Sequence, residues 1–127
     1  MVSCPGRRLK RQEVVFEWGV KSFGLDQMTS QKQRGLRMLE EATELYQACC
    51  GDKGQAHKLV DYIFARPVGT PAQEIGGVSV TMLALAECIG EDADQCERTE
   101  IERVLSKSHE HFAKRNAAKN AAGFVAK

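Results

Sequence analysis

The chain has 127 residues, 43% of them hydrophobic and 28% charged, with a formal net charge of +1. That length fits one domain with a real core. The charge balance gives no global electrostatic pull toward nucleic acid, and leaves room for a small anionic ligand held locally. No uninterrupted apolar run approaches the roughly 20 residues that span a bilayer, and the basic start MVSCPGRRLKRQE lacks an apolar segment behind it, so it does not read as a secretory signal. These features point to a cytoplasmic protein with no membrane partner.

From residue 10 onward the texture is helical. RQEVVFEWGVKSF places Val14, Val15, Trp18 and Phe23 near one face, and Gly24 closes it. Thr29 or Ser30 can cap a second helix running to about Cys50, stopped by GDKG. A third spans about Gln55 to Ala65 and ends at Arg66-Pro67. Thr70 followed by Pro71 is a cap and first-turn pair for a fourth, most apolar helix that runs to Ile89 and stops at Gly90. A fifth extends from about Asp92 to Lys107 or beyond, and residues 1–10 and 116–127 read as flexible tails of a single domain. No segment alternates with period 2. The expected fold is all-α, a bundle of four to five helices.

The five cysteines contain no C-x-x-C pair, so neither a disulfide framework nor a zinc site follows. His109 and His111 are two apart and point away from each other on a helix. The carboxylates are more informative. On the second helix Leu36, Leu39, Thr43, Tyr46 and Cys50 form one stripe, and Glu40, Glu41 and Glu44 cluster on the remaining side, over roughly 100° of arc. On the fourth, Glu74 borders a stripe of Ile75, Val78, Met82, Leu85, Ala86 and Ile89. Taken alone, the first cluster is a solvated acidic face and Glu74 a first-turn charge that suits the helix dipole. If the two helices pack together, Glu41, Glu44 and Glu74 converge on one point. Carboxylates held that close repel unless a cation lies between them, and an all-oxygen set suits Mg²⁺ or Mn²⁺.

Glu40-Glu41-Ala42-Thr43-Glu44, Glu74-Ile75-Gly76-Gly77 and the following VSVTMLALAECIGED resemble the E-E-x-x-E and E-x-x-D helices of the MazG-like all-α nucleoside triphosphate pyrophosphatases. That superfamily also holds dimeric dUTPases and phosphoribosyl-ATP pyrophosphohydrolases. The resemblance extends over Trp18…Phe23-Gly24 and RPVGTPAQE, most of residues 12–107. It implies Mg²⁺-dependent hydrolysis of a nucleoside triphosphate to monophosphate and pyrophosphate, at a site completed by a homodimer or a dimer of dimers. It implies Glu41, Glu44 and Glu74 as metal ligands, with Glu41 catalytic and Glu40 an accessory ligand or water-orienting group. Lys107 and Lys114 become phosphate contacts, and Trp18 a stacking surface for the base. Gly77 stands where the motif has its aspartate. A water or Asp61 could take that place, Asp61 being equally readable as an exposed residue. The loss also motivates an alternative: a non-catalytic helical module on a MazG-like scaffold that binds nucleotide or a partner.

Overall fold

The computed structural model describes residues 3–127. Among them it is all-helical, with seven helices and no strand: α1 (Arg8–Phe23), α2 (Leu25–Thr29), α3 (Gln31–Ala48), α4 (Lys53–Phe64), α5 (Pro71–Ile89), α6 (Ala93–Leu105) and α7 (His109–Ala121). The helical class agrees with the sequence reading, and the count exceeds the expected four to five. One added element is α2, a single turn after Gly24. The other arises because the last long helix breaks at residues 106–108 and restarts as α7, which takes in residues 116–121 of the expected C-terminal tail. At the other end α1 begins at Arg8, inside the expected N-terminal tail.

The helix boundaries follow local chemistry. Side-chain oxygens satisfy first-turn amides that the helix itself leaves unpaired. Ser30 Oγ accepts from Gln33 N at 3.2 Å, Asp52 Oδ2 from Gln55 N at 2.8 Å, Asp92 Oδ1 from Gln95 N at 3.0 Å and Ser108 Oγ from His111 N at 3.2 Å. Thr70 makes no such bond, and Pro71 alone marks the start of α5. At its other end Gly90 adopts φ 74°, and Glu91 N–H donates to Ala86 O at 2.9 Å, the closing bond of a Schellman turn. The end of α3 uses the same geometry with Cys50, at φ 64°, in the glycine position. There Gly51 N–H donates to Tyr46 O and Cys50 N–H to Gln47 O, at 2.9 and 3.0 Å.

The chain divides into two compact units. The first comprises residues up to Glu41 and from Glu97 onward. Here α1 packs on α2 and on α7. Ile101 and Phe112 are buried, and Trp18 meets Phe112 and Phe23 edge-on at ring-centre distances of 4.8 and 5.4 Å. Gly19 allows α2 to approach closely, because the Met28 side chain fills the space that a Cβ at 19 would need. The buried Arg11 donates to Glu97 Oε1 at 2.7 Å and to Gly6 O at 2.6 Å, pinning the N-terminal segment to α6.

The second unit, Ala42–Cys96, contains no buried residue. Ile75 and Val80 of α5 are 68% and 67% exposed. By length and composition α5 is apolar enough to cross a membrane, with a mean hydropathy of 1.2 over its window. Glu74, Gly76, Gly77 and Ser79 interrupt its apolar residues, so the sequence shows no continuous apolar run of that length.

Candidate functional site

The acidic motif occupies the middle of α3, where Glu40, Glu41 and Glu44 stand within little more than one turn. Their surroundings differ. Glu40 is half-buried and committed: its Oε1 accepts from Lys119 Nζ of α7 at 2.8 Å, and Arg37 Nη1 lies 3.5 Å from its Oε2. The Lys119 hydrogen bond outweighs partial burial. With the fields of Lys119, Arg37 and Arg115 it holds the Glu40 carboxyl below the usual range. Glu41 is exposed and, among the described residues, makes neither a hydrogen bond nor an ion pair, although its charge lies near enough to Arg103 to raise that guanidinium further. The main cause of the Arg103 shift is its bond to Glu100. Glu44 is exposed and equally uncommitted.

Glu74 lies in the first turn of α5. Its carboxylate folds back over Gly69, into space that any side chain at 69 would occupy. Gly69 therefore leaves room for this acid in the loop before α5. Gly77 faces open space, where an added Cβ would meet nothing. Thr81 Oγ1, one turn on, donates back to the Gly77 and Val78 carbonyls at 3.0 Å each. Asp61 is exposed on α4, as its exposed-residue reading has it. Among the described residues no group of three or more His, Cys, Asp or Glu side chains is placed to hold one ion. The donor chemistry of Glu41, Glu44 and Glu74 suits a hard cation; Glu41 belongs to the first unit, and Glu44 and Glu74 to the second.

Of the residues read as substrate contacts, Trp18 and Lys107 share one cavity in the first unit. It has a volume of about 200 Å³ and is lined by Val14, Glu17, Trp18, Lys21, Leu105, Lys107 and His109. The indole is wedged edge-on between Phe23 and Phe112, and its Nε1 is buried without a partner. This is a core position with one side on the cavity. His109 Nδ1 shares a 2.9 Å hydrogen bond with the buried Ser22 Oγ, which fixes the imidazole at the cavity wall. Lys114 is exposed on α7 and does not line the cavity.

Besides Lys119, α3 itself carries two cations ahead of the acidic motif, Arg34 and Arg37, that the motif does not mark. Arg37 precedes Glu40 by one turn, and its side chain is only 15% exposed. Its Nη2 donates to Asn116 Oδ1 and Asn120 Oδ1 of α7, both at 3.2 Å. One turn earlier, Arg34 Nε donates to Gln27 O at 3.0 Å, and its guanidinium stands 5.6 Å from the Phe23 ring centre. Burial, then the neighbouring Arg37, push the Arg34 guanidinium below its usual value. The sequence signal is a spacing: Arg37 sits three residues before Glu40, on the side of the helix that Glu40 shares, and Arg34 three residues before Arg37. No family model, curated protein or solved structure matches the chain.

Proposed function

We propose that the chain is a nucleoside triphosphate pyrophosphohydrolase, releasing pyrophosphate and a monophosphate, that works as a homodimer or dimer of dimers. The observation that carries this reading is the pair Glu41 and Glu44, two exposed and uncommitted carboxylates one turn apart on α3. Association of chains would complete the site around this pair and Glu74. α5 is apolar nearly all round, and a helix of that kind belongs inside a core, yet none of its residues is buried. Mg²⁺, or Mn²⁺ on the same oxygen ligands, would neutralise phosphate charge and orient a nucleophilic water when bound. Glu41, Glu44 and Glu74 are the residues to hold it. Glu41, which no cation pairs directly, is also the group to accept a proton from water. Glu40 already carries Lys119 and Arg37 and is better suited to the phosphate side of the site. The cytoplasm, which supplies such nucleotides, is the compartment this reading assigns to the chain.

A second reading, a nucleotide- or partner-binding module without turnover, is favoured by Gly77 in place of the motif's aspartate. Pyrophosphate release would be measured over the eight common NTPs and dNTPs with Mg²⁺ and with Mn²⁺. The enzyme reading expects metal-dependent release from at least one nucleotide, lowered about 10²–10⁴-fold in Glu41→Gln. No release from any of the eight would remove it in favour of the binding module. Release that Glu41→Gln leaves unchanged would clear the acidic motif of the chemistry. Gly77→Asp, which the open space at 77 accommodates, is expected to raise activity if the aspartate's place is vacant.

A further inference from the structure

The seam between α3 and α7 holds more positive charge than a clamp between two helices requires. Lys119, Arg37 and Arg115 surround the single carboxylate of Glu40, leaving two positive charges in excess. Arg37 is held by two asparagine carbonyl oxygens, which fix the guanidinium plane without neutralising it. A structural clamp would gain more from carboxylates at 116 and 120. The contact from Arg37 to Glu40, at 3.5 Å, is too long to count as a good hydrogen bond, so most of the fork's donor capacity remains unspent. Glu40 and Lys119 are each 30% exposed, open enough for a ligand to enter and sheltered enough for charge to act more strongly than in water.

We propose that Arg37 and Lys119 form a metal-independent phosphate subsite, in which the Glu40 carboxylate is an internal anion that a phosphate group of the substrate displaces. This deepens the pyrophosphohydrolase reading and rests on it for the identity of the ligand as a polyphosphate. A phosphate offers three oxygens to the guanidinium fork and the ammonium, where Glu40 engages them unevenly. The outgoing Glu40 loses a part-exposed ion pair, which is a weak interaction. The seam lies beside Glu41, so a phosphate chain held there would begin one residue from the uncommitted carboxylates.

The test is calorimetric titration of the full chain with tripolyphosphate in EDTA at fixed ionic strength. The expected result is saturable binding, weakened about tenfold or more in Lys119→Gln and in Arg37→Gln, the equivalent of about 1.4 kcal/mol. Glu40→Gln is expected to tighten binding several-fold, because the competing carboxylate is gone. Lys32→Gln, on the exposed first turn of α3, reports general charge and should change nothing. The proposal fails if wild type does not saturate, if Glu40→Gln weakens binding or leaves it unchanged, or if Lys32→Gln weakens it as much as Lys119→Gln. Circular dichroism checks the fold of Arg37→Gln; if that variant unfolds, the Lys119 and Glu40 variants decide. Binding with these signs but no pyrophosphate release would keep the subsite and remove the enzyme. Turnover without tightening in Glu40→Gln would do the reverse.

Discussion

Replacing Val80 and Leu83 together by glutamine tests whether the bare face of α5 is an interface. In one chain the two side chains are 67% and 55% exposed, and changes at such positions alter stability by no more than about 0.5 kcal/mol. If a second copy covers them, the remaining exposure is removed on association. Full burial of an aliphatic side chain contributes about 1.5–3 kcal/mol, so half to two-thirds of that is about 1 kcal/mol for each residue. A symmetric dimer buries both residues twice, giving about 4 kcal/mol, or roughly a thousandfold in the association constant. Sedimentation equilibrium over a wide concentration range reads this directly. Wild type should be associated at micromolar concentration and the double variant largely monomeric, with the helical content of the first unit retained. A wild type that stays monomeric at the highest concentration, or a variant that associates equally well, would refute the reasoning.

Three further outcomes follow from single positions. Phe112→Ala removes a buried ring that contacts Trp18 at 4.8 Å, and should cost about 3–5 kcal/mol in urea denaturation; a loss below about 1 kcal/mol would mean that the α1–α7 packing does not hold the first unit. Cys50→Gly relieves a left-handed residue at φ 64° and should stabilise the chain by about 1 kcal/mol, where an inert loop position would lose stability through added backbone freedom. Because Glu40 is depressed in the fold, its ion pairs stabilise fully above the unfolded carboxyl value of about 4.3 and are lost as pH falls through the lower folded value. Melting temperature between pH 6 and 3 should therefore fall more steeply in wild type than in Glu40→Gln, the difference amounting to about 1 kcal/mol; parallel curves would rule out the pairing with Lys119.

Much of the helical layout was written in punctuation. Gly24, Ser30, Pro71 and Gly90 act at the chain level, through φ and through first-turn amides, and each marks a boundary within a residue or two. The single turn of α2 lacks the length for any periodicity to show. The break at 106–108 has no Gly or Pro; its signal was Ser108 followed by Glu110, a cap and a first-turn acid. The buried polar residues were out of reach, because their partners are distant in sequence. Arg11 reads as part of a basic arm until Glu97, 86 positions on, meets it, and Gln33 as a surface residue until Ala126 N donates to its side chain at 2.8 Å.

Distance in sequence also explains what the acidic motif alone could not say. Adjacent glutamates look equivalent on a helical wheel, yet a residue 79 positions away separates them: Lys119 takes Glu40 and leaves Glu41 and Glu44 unpaired. A solvated acidic face would be expected to leave all three alike. The motif is instead split, with one carboxylate embedded in cations on the α7 side and two left open. That polarity suits a ligand with negative charge at one end and a cation to be held beside it, which is how a polyphosphate chelating a divalent ion is built. It also makes the sign of the Glu40→Gln effect more informative than its size. A ligand-binding carboxylate and a competing one both matter to function, but removing the first weakens binding of the polyphosphate and removing the second strengthens it.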